Sequence, residues 1–206
     1  MSWHTFLLFL GLTSATSLMP GPNAMMTMAQ GIAHGSRGAF WTVMGSFAAL
    51  GAMMVASAVG AGAILMASEL AFEIVKWAGV AYLAYLGVKS WRAPPVRIDT
   101  QASEDVMSIR AMFLKGFFCS AGNPKAFLFW GALFPPFLNP NAPLLPQVAI
   151  LGAAAFVVEF FVMMGYGMGA AGIAHYLARK GNTTLFNKIS GGTMIGAAAL
   201  LATVRR

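Results

Sequence analysis

Apolar residues in this chain come in long blocks, separated by short polar stretches. No Asp, Glu, Lys or Arg lies between Arg37 and Glu69, from Ala126 through Val158, or from Ser190 to Val204. A helix needs about 20 predominantly apolar residues to cross a hydrocarbon core about 30 Å thick, and several blocks meet that length. The pattern predicts six membrane spans, at about Trp3–Ala29, Ala39–Met66, Ala71–Lys89, Met112–Phe134, Pro146–Ala178 and Leu185–Val204. Glu69, Glu73 and Lys76 at the start of the third read as an interfacial turn. Trp3 to Leu18 is preceded by no Lys or Arg, so it lacks the basic start of a signal peptide and is expected to stay as the first span.

The longest polar stretch runs from Ser90 to Arg110 and holds Pro94, Pro95, Arg97, Asp99, Glu104 and Asp105. It divides the chain into two expected units of three spans each, residues 1–92 and 112–206, joined by a linker over 93–111. An odd number of spans per half requires that any repeat between them be inverted in the membrane. Short matches of that kind exist. Pro22-Asn23-Ala24 in span 1 answers Pro124-Lys125-Ala126 in span 4, and Lys76-Trp77-Ala78-Gly79 answers Lys188-Ile189-Ser190-Gly191. The expected fold is therefore an all-α integral membrane protein, six helices in two inverted three-helix repeats, with helices 1 and 4 broken at proline.

Composition agrees, with 58% hydrophobic and 9% charged residues, too few charges to clothe a soluble surface. A net charge of +7 invites a nucleic-acid reading, but no basic run with interleaved aromatics supports one. The basic residues instead sort by side. Arg37, Lys89, Arg92, Arg97, Arg110, Lys115, Arg179, Lys180 and Lys188 fall on loops 1–2, 3–4 and 5–6, against Lys76, Arg205 and Arg206 opposite. That bias places the linker in the cytoplasm and both termini outside. One cysteine, Cys119, excludes an internal disulfide and reads as a small packing residue. No His, Cys or carboxylate cluster has metal-ligand spacing, so no metal site is expected.

Candidate chemistry lies where the apolar pattern is interrupted. Pro20-Gly21-Pro22-Asn23 removes two backbone donors within three residues of span 1, and Gly122-Asn123-Pro124-Lys125 does the same to span 4 with one. Freed carbonyls in hydrocarbon cost several kcal/mol each unless protein or cavity water takes them. Paired broken helices at corresponding places of two halves point to a transporter's substrate site. Lys125 and Glu159 are the ionisable residues deepest in the spans. Glu159 reads either as a proton-coupling or amine-binding carboxylate or as a structural partner of Lys125. Lys125 reads as a cap on freed carbonyls or a contact for a substrate carboxylate, with snorkelling to the interface as the third option. Asn23 and Tyr166 are further hydrogen-bonding candidates on the cavity wall.

These residues resemble the lysine exporter (LysE/RhtB) family of amino-acid export proteins. The resemblance is carried by Pro20–Asn23, Gly31, His34-Gly35-Ser36-Arg37-Gly38, Lys76 through Leu83 with Leu86-Gly87, Phe113, Gly116-Phe117, Asn123–Ala126 with Phe129, and Phe134-Pro135-Pro136-Phe137. It implies a bacterial inner-membrane carrier that exports amino acids or related metabolites on the proton gradient, with no cofactor, and it leaves homodimerisation open. Its partners are then a small-molecule substrate and the lipid bilayer. One departure stands out. Many members of the family carry an acidic residue in span 2 after its glycines, whereas Gly45 to Met54 contains none and the acid here is Glu159 in span 5. A metal-ion or other small-solute transporter is the nearest alternative. A membrane-embedded enzyme is a more distant one, because the spans offer one carboxylate, one lysine and no central histidine.

Overall fold

The computed structural model describes residues 3–67, 69–93, 107–139, 141–170, 172 and 182–203. Within these residues the chain is helical, with no strand. The elements are α1 (Trp3–Ser17), α2 (Pro22–Ala67), α3 (Glu69–Trp91), α4 (Ile109–Ala121), α5 (Pro124–Leu128), α6 (Leu144–Met168) and α7 (Asn182–Ala202). A π turn (Phe129–Leu133) and a 3₁₀ turn (Pro135–Phe137) continue from α5. Two helical stretches, Pro22–Gly60 and Leu144–Met168, are by themselves long and apolar enough to cross a bilayer. Most of the expected linker over 93–111, and the last part of the run expected to end at Ala178, lie outside the described residues.

Helix starts follow from local chemistry. Proline lacks a backbone donor, and the first turn of a helix has no use for one, so Pro22 opens α2 and Pro124 opens α5. Ser108 caps α4 by accepting from the Ala111 N–H at 3.2 Å, and Asn123 caps α5 by accepting from the Lys125 N–H at 3.0 Å. Residues 18–21 are not helical, and Gly122 and Asn123 separate α4 from α5.

The structure differs from the sequence reading in two places. Residues expected to loop between the first two spans are helical throughout, and the reversal is made at one residue, Gly35, whose φ of 64° and ψ of −158° suit glycine. The chain folds back there. A Cβ on Gly38 would lie 2.6 Å from the His34 Cβ and against the Gln30 carbonyl, eight residues earlier, which in a straight helix would be about 12 Å away. Glu69, Glu73 and Lys76 also form no turn. They lie in the first two turns of α3, where Lys76 Nζ meets Glu73 Oε1 at 2.7 Å, so the pair is satisfied along the helix surface.

The bundle is organised by the packing of α2 after Gly35 against α4, through Thr42 with Gly116 and Gly45 with Phe113, and by three further antiparallel pairings. In the first, α1 and the start of α2 run against the segment from the α4–α5 junction through the two turns after α5, from Phe9 beside Phe129, Phe134 and Phe137 to Asn23 beside Asn123. In the second, α2 after Gly35 runs against α6, through Ala39 with Gly167, Phe47 with Phe156 and Phe160, and Met54 with Gly152. The third sets α3 against α7. Gly79 lies by Leu201, Gly87 by Gly191, and the Ser90 hydroxyl donates to the Asn187 carbonyl at 3.4 Å. Large apolar side chains such as Val59, Leu70, Val157, Phe161 and Ile189 remain exposed.

Small residues set the helix spacing. A Cβ on Gly116 would fall inside van der Waals contact with the Thr42 carbonyl, and one on Gly45 would do the same with the Phe113 carbonyl. Gly116→Ala is therefore expected to force α2 and α4 apart and lower folded stability by about 1–3 kcal/mol. Gly11→Ala, where nothing lies within 4 Å, serves as the control and should not destabilise. Thermal unfolding of the two variants in detergent decides the point, and equal midpoints would remove this account of the spacing.

Candidate functional site

The non-helical residues between α1 and α2 leave carbonyls that no helix satisfies, and the structure supplies donors from elsewhere. Lys125 Nζ donates to the Met19 carbonyl at 3.0 Å and also to that of Thr16, while the Tyr166 hydroxyl donates to the Leu18 carbonyl at 2.7 Å. Of the roles open to Lys125 in the sequence, the geometry displays the carbonyl cap. Its position just after the second break brings the ammonium to the first.

The two breaks also touch directly. Asn123 Nδ2 donates to Asn23 Oδ1 at 3.1 Å, and the Cys119 thiol approaches the same oxygen at 3.7 Å. Asn123 is used twice, since its own Oδ1 caps α5. Cys119, expected only to pack, is thus also a neighbour of the asparagine pair. Across the bundle, Glu159 accepts from the Ser17 hydroxyl at 2.5 Å. Among the described residues the ion pair within 4.0 Å is Lys76 with Glu73, so Lys125 and Glu159 are not in contact.

These groups surround one cavity with about 570 Å³ of empty space, its mouth included. Gly21, Asn23, Asn123, Lys125 and Glu159 all line it. Tyr166 does not, and acts on the break from behind through Leu18. Pro20 lies in the non-helical segment, and Pro22 and Pro124 begin the helices that leave the breaks. Apolar walls come from Ala24, Leu50, Ala126, Phe129, Trp130 and Phe156. A much smaller cavity adjoins it, sharing Thr16, Lys125 and Phe129 and reaching Tyr82, Leu86 and Met194.

Sequence reasoning missed Thr13, Thr16 and Ser17, which line the main cavity from α1. Their three- and four-residue spacing marks one helix face, a polar stripe in an otherwise apolar span. It also missed the π turn beside the cavity, whose Trp130 carbonyl accepts from the Ser57 hydroxyl. Nothing in Phe-Trp-Gly-Ala-Leu announces that turn.

A family model described as LysE type translocator matches residues 14–205. The chain belongs to the LysE type translocator family. Among curated relatives, the homoserine/homoserine lactone efflux protein of Salmonella typhimurium is 39% identical over 203 residues, covering 98% of this chain and 97% of its own length. An uncharacterized membrane protein of Vibrio cholerae is 32% identical over the full length of both. The leucine efflux protein of Klebsiella pneumoniae is 30% identical over 191 residues, 91% of this chain and 90% of that protein. No solved structure matches. As a LysE type translocator the chain is a membrane transporter and not an enzyme.

The carbonyl caps make a quantitative prediction. Tyr166→Phe removes one neutral hydrogen bond and should lower stability by about 0.5–1.5 kcal/mol. Lys125→Met removes two bonds from a charged donor and leaves two carbonyls bare, so its loss should be larger, about 1.5–3 kcal/mol. Unfolding of both variants in detergent tests the order, and an equal or reversed order removes Lys125 as the principal cap.

Proposed function

We propose that this chain is a six-span secondary exporter of small neutral amino acids and their close derivatives across the bacterial inner membrane, coupled to protons. The carrying observation is the cavity in which both helix breaks meet and whose wall holds one cation, Lys125, and one anion, Glu159, not in contact with each other. A zwitterion matches that arrangement. Its carboxylate fits Lys125 and the asparagine pair, its ammonium fits Glu159 and Ser17, and the cavity's net charge is unchanged when it binds. A second cationic or anionic group would be desolvated without a partner. Homoserine and leucine, named for these relatives, are both zwitterions; homoserine lactone, named together with homoserine, keeps the ammonium but has no carboxylate.

The two-repeat reading has the same support. A two-fold axis in the membrane plane would pair helix 1 with 4, 2 with 5 and 3 with 6, and antiparallel contacts of each kind are present, beside the packing of helix 2 on helix 4. The units are residues 1–92 and 112–206, with the linker cytoplasmic and the termini outside, as the basic residues favour.

Coupling follows from competition at one carboxylate. Glu159 can carry a proton or meet an ammonium group, and either excludes the other. A carrier that reorients only with Glu159 neutralised then exchanges an outgoing amino acid for an incoming proton.

Inverted membrane vesicles with an acidic lumen test the proposal. Homoserine and leucine should accumulate inside, and collapse of the pH gradient or Pro22→Ala with Pro124→Ala should abolish accumulation. If neither amino acid accumulates, the exporter reading fails. Glu159→Gln should lose the dependence on the imposed gradient, and full uptake with unchanged gradient dependence would assign coupling elsewhere.

A further inference from the structure

The cavity has five neutral polar side chains on its wall, and four have partners. The Thr16 hydroxyl donates to the carbonyls of Leu12 and Thr13 at 2.9 Å each, Ser17 donates to Glu159 at 2.5 Å, and Asn123 donates to Asn23 at 3.1 Å. The fifth is Thr13. It is 2% exposed, and its Oγ1 is buried with no hydrogen-bond partner. A threonine within a helix ordinarily donates to the carbonyl four residues back, and a buried hydroxyl without a partner costs about 1–3 kcal/mol. An unsatisfied hydroxyl on a residue that lines a cavity calls for an explanation, and a ligand held in that cavity supplies one.

The surroundings define the ligand. Away from the polar breaks the wall is apolar, with Leu50, Ala126, Trp130, Ala155 and Met163. A substrate held by Lys125 and Glu159 at its carboxylate and ammonium extends its side chain along that wall. Thr13 lies on α1 one turn before the Ser17 that meets Glu159, so it stands beside the bound ammonium end. The geometry points to Thr13 as the residue that reads the substrate's side chain, selecting small neutral amino acids whose side chain carries a hydroxyl over apolar ones of the same shape. This rests on the exporter reading above and deepens it. An apolar pocket discriminates poorly between a hydroxyl and a methyl group, whereas a site with a buried hydrogen-bonding group rejects the analogue that leaves it unpaired.

The test uses two isosteric pairs, homoserine with norvaline and threonine with valine, in inverted vesicles carrying the full chain. The wild type should show the higher kcat/KM for the hydroxylated member of each pair. Thr13→Val, which keeps the shape and deletes the hydroxyl, should lower that preference about three- to tenfold. Thr13→Ser should retain it, separating recognition from a packing role. A wild type with no preference, a Thr13→Val variant with the wild-type ratio, or an equal loss for both members of a pair each overturns the assignment. Transport of none of the four overturns the exporter reading and this inference with it, which the first three outcomes do not.

Discussion

The structure depends on satisfying four residues of backbone that leave the helix between Ser17 and Pro22. In water such a gap is trivial, because solvent takes the carbonyls. In a bilayer each unpaired carbonyl is a penalty of several kcal/mol, so a break survives only where protein or a wet cavity surrounds it. Here Lys125 and Tyr166 reach in from two other helices to the carbonyls of Thr16, Leu18 and Met19. The break, α5 and α6 are therefore one unit. None of the three keeps its position without the others, and the cavity is the space they enclose.

Close helix approach is the second condition. Donors can reach across only if the helices that carry them lie near, and apolar packing alone gives little drive for helices to associate in lipid. The glycines supply the proximity. Gly45 and Gly116 bring α2 against α4, Gly31 and Gly167 bring α2 against α6, and Gly79, Gly87 and Gly191 bring α3 against α7. A large side chain at any of these would widen the bundle and lengthen hydrogen bonds that now lie between 2.5 and 3.1 Å.

Much of this could be read from the residues alone, for a physical reason. Prolines and charges inside apolar blocks are expensive, so their positions carry information, and Pro22, Asn23, Asn123, Lys125 and Glu159 stood out on that ground. The family was legible for the same reason, since its motifs are those interruptions. What escaped was cheap in sequence. Hydroxyls such as that of Thr16 can be satisfied within their own helix at little cost, so Thr13, Thr16 and Ser17 are inexpensive in an apolar span and carry far less signal than a proline or a charge until the fold shows what they line. A reversal between the first two spans was expected where Gly35 lies, but not that helix would run up to it from both sides, since a single glycine can turn the chain without a loop. The π turn after α5 depends on what packs against it.

The structural and functional readings of Lys125, which look like rivals in the sequence, describe one set of forces. An ammonium held by backbone carbonyls is bound through charge and dipole, and a carboxylate is a stronger acceptor of the same kind. In the proposed cycle a substrate carboxylate therefore competes with the carbonyls of Thr16 and Met19 for the same ammonium. Lys125 also forms part of the wall between the main cavity and the smaller one beside it, together with Thr16 and Phe129. A ligand that draws the ammonium away from α1 loosens the end of that helix and disturbs the wall in one step. Binding at the break is coupled to the break's own stability, because the same lysine serves both.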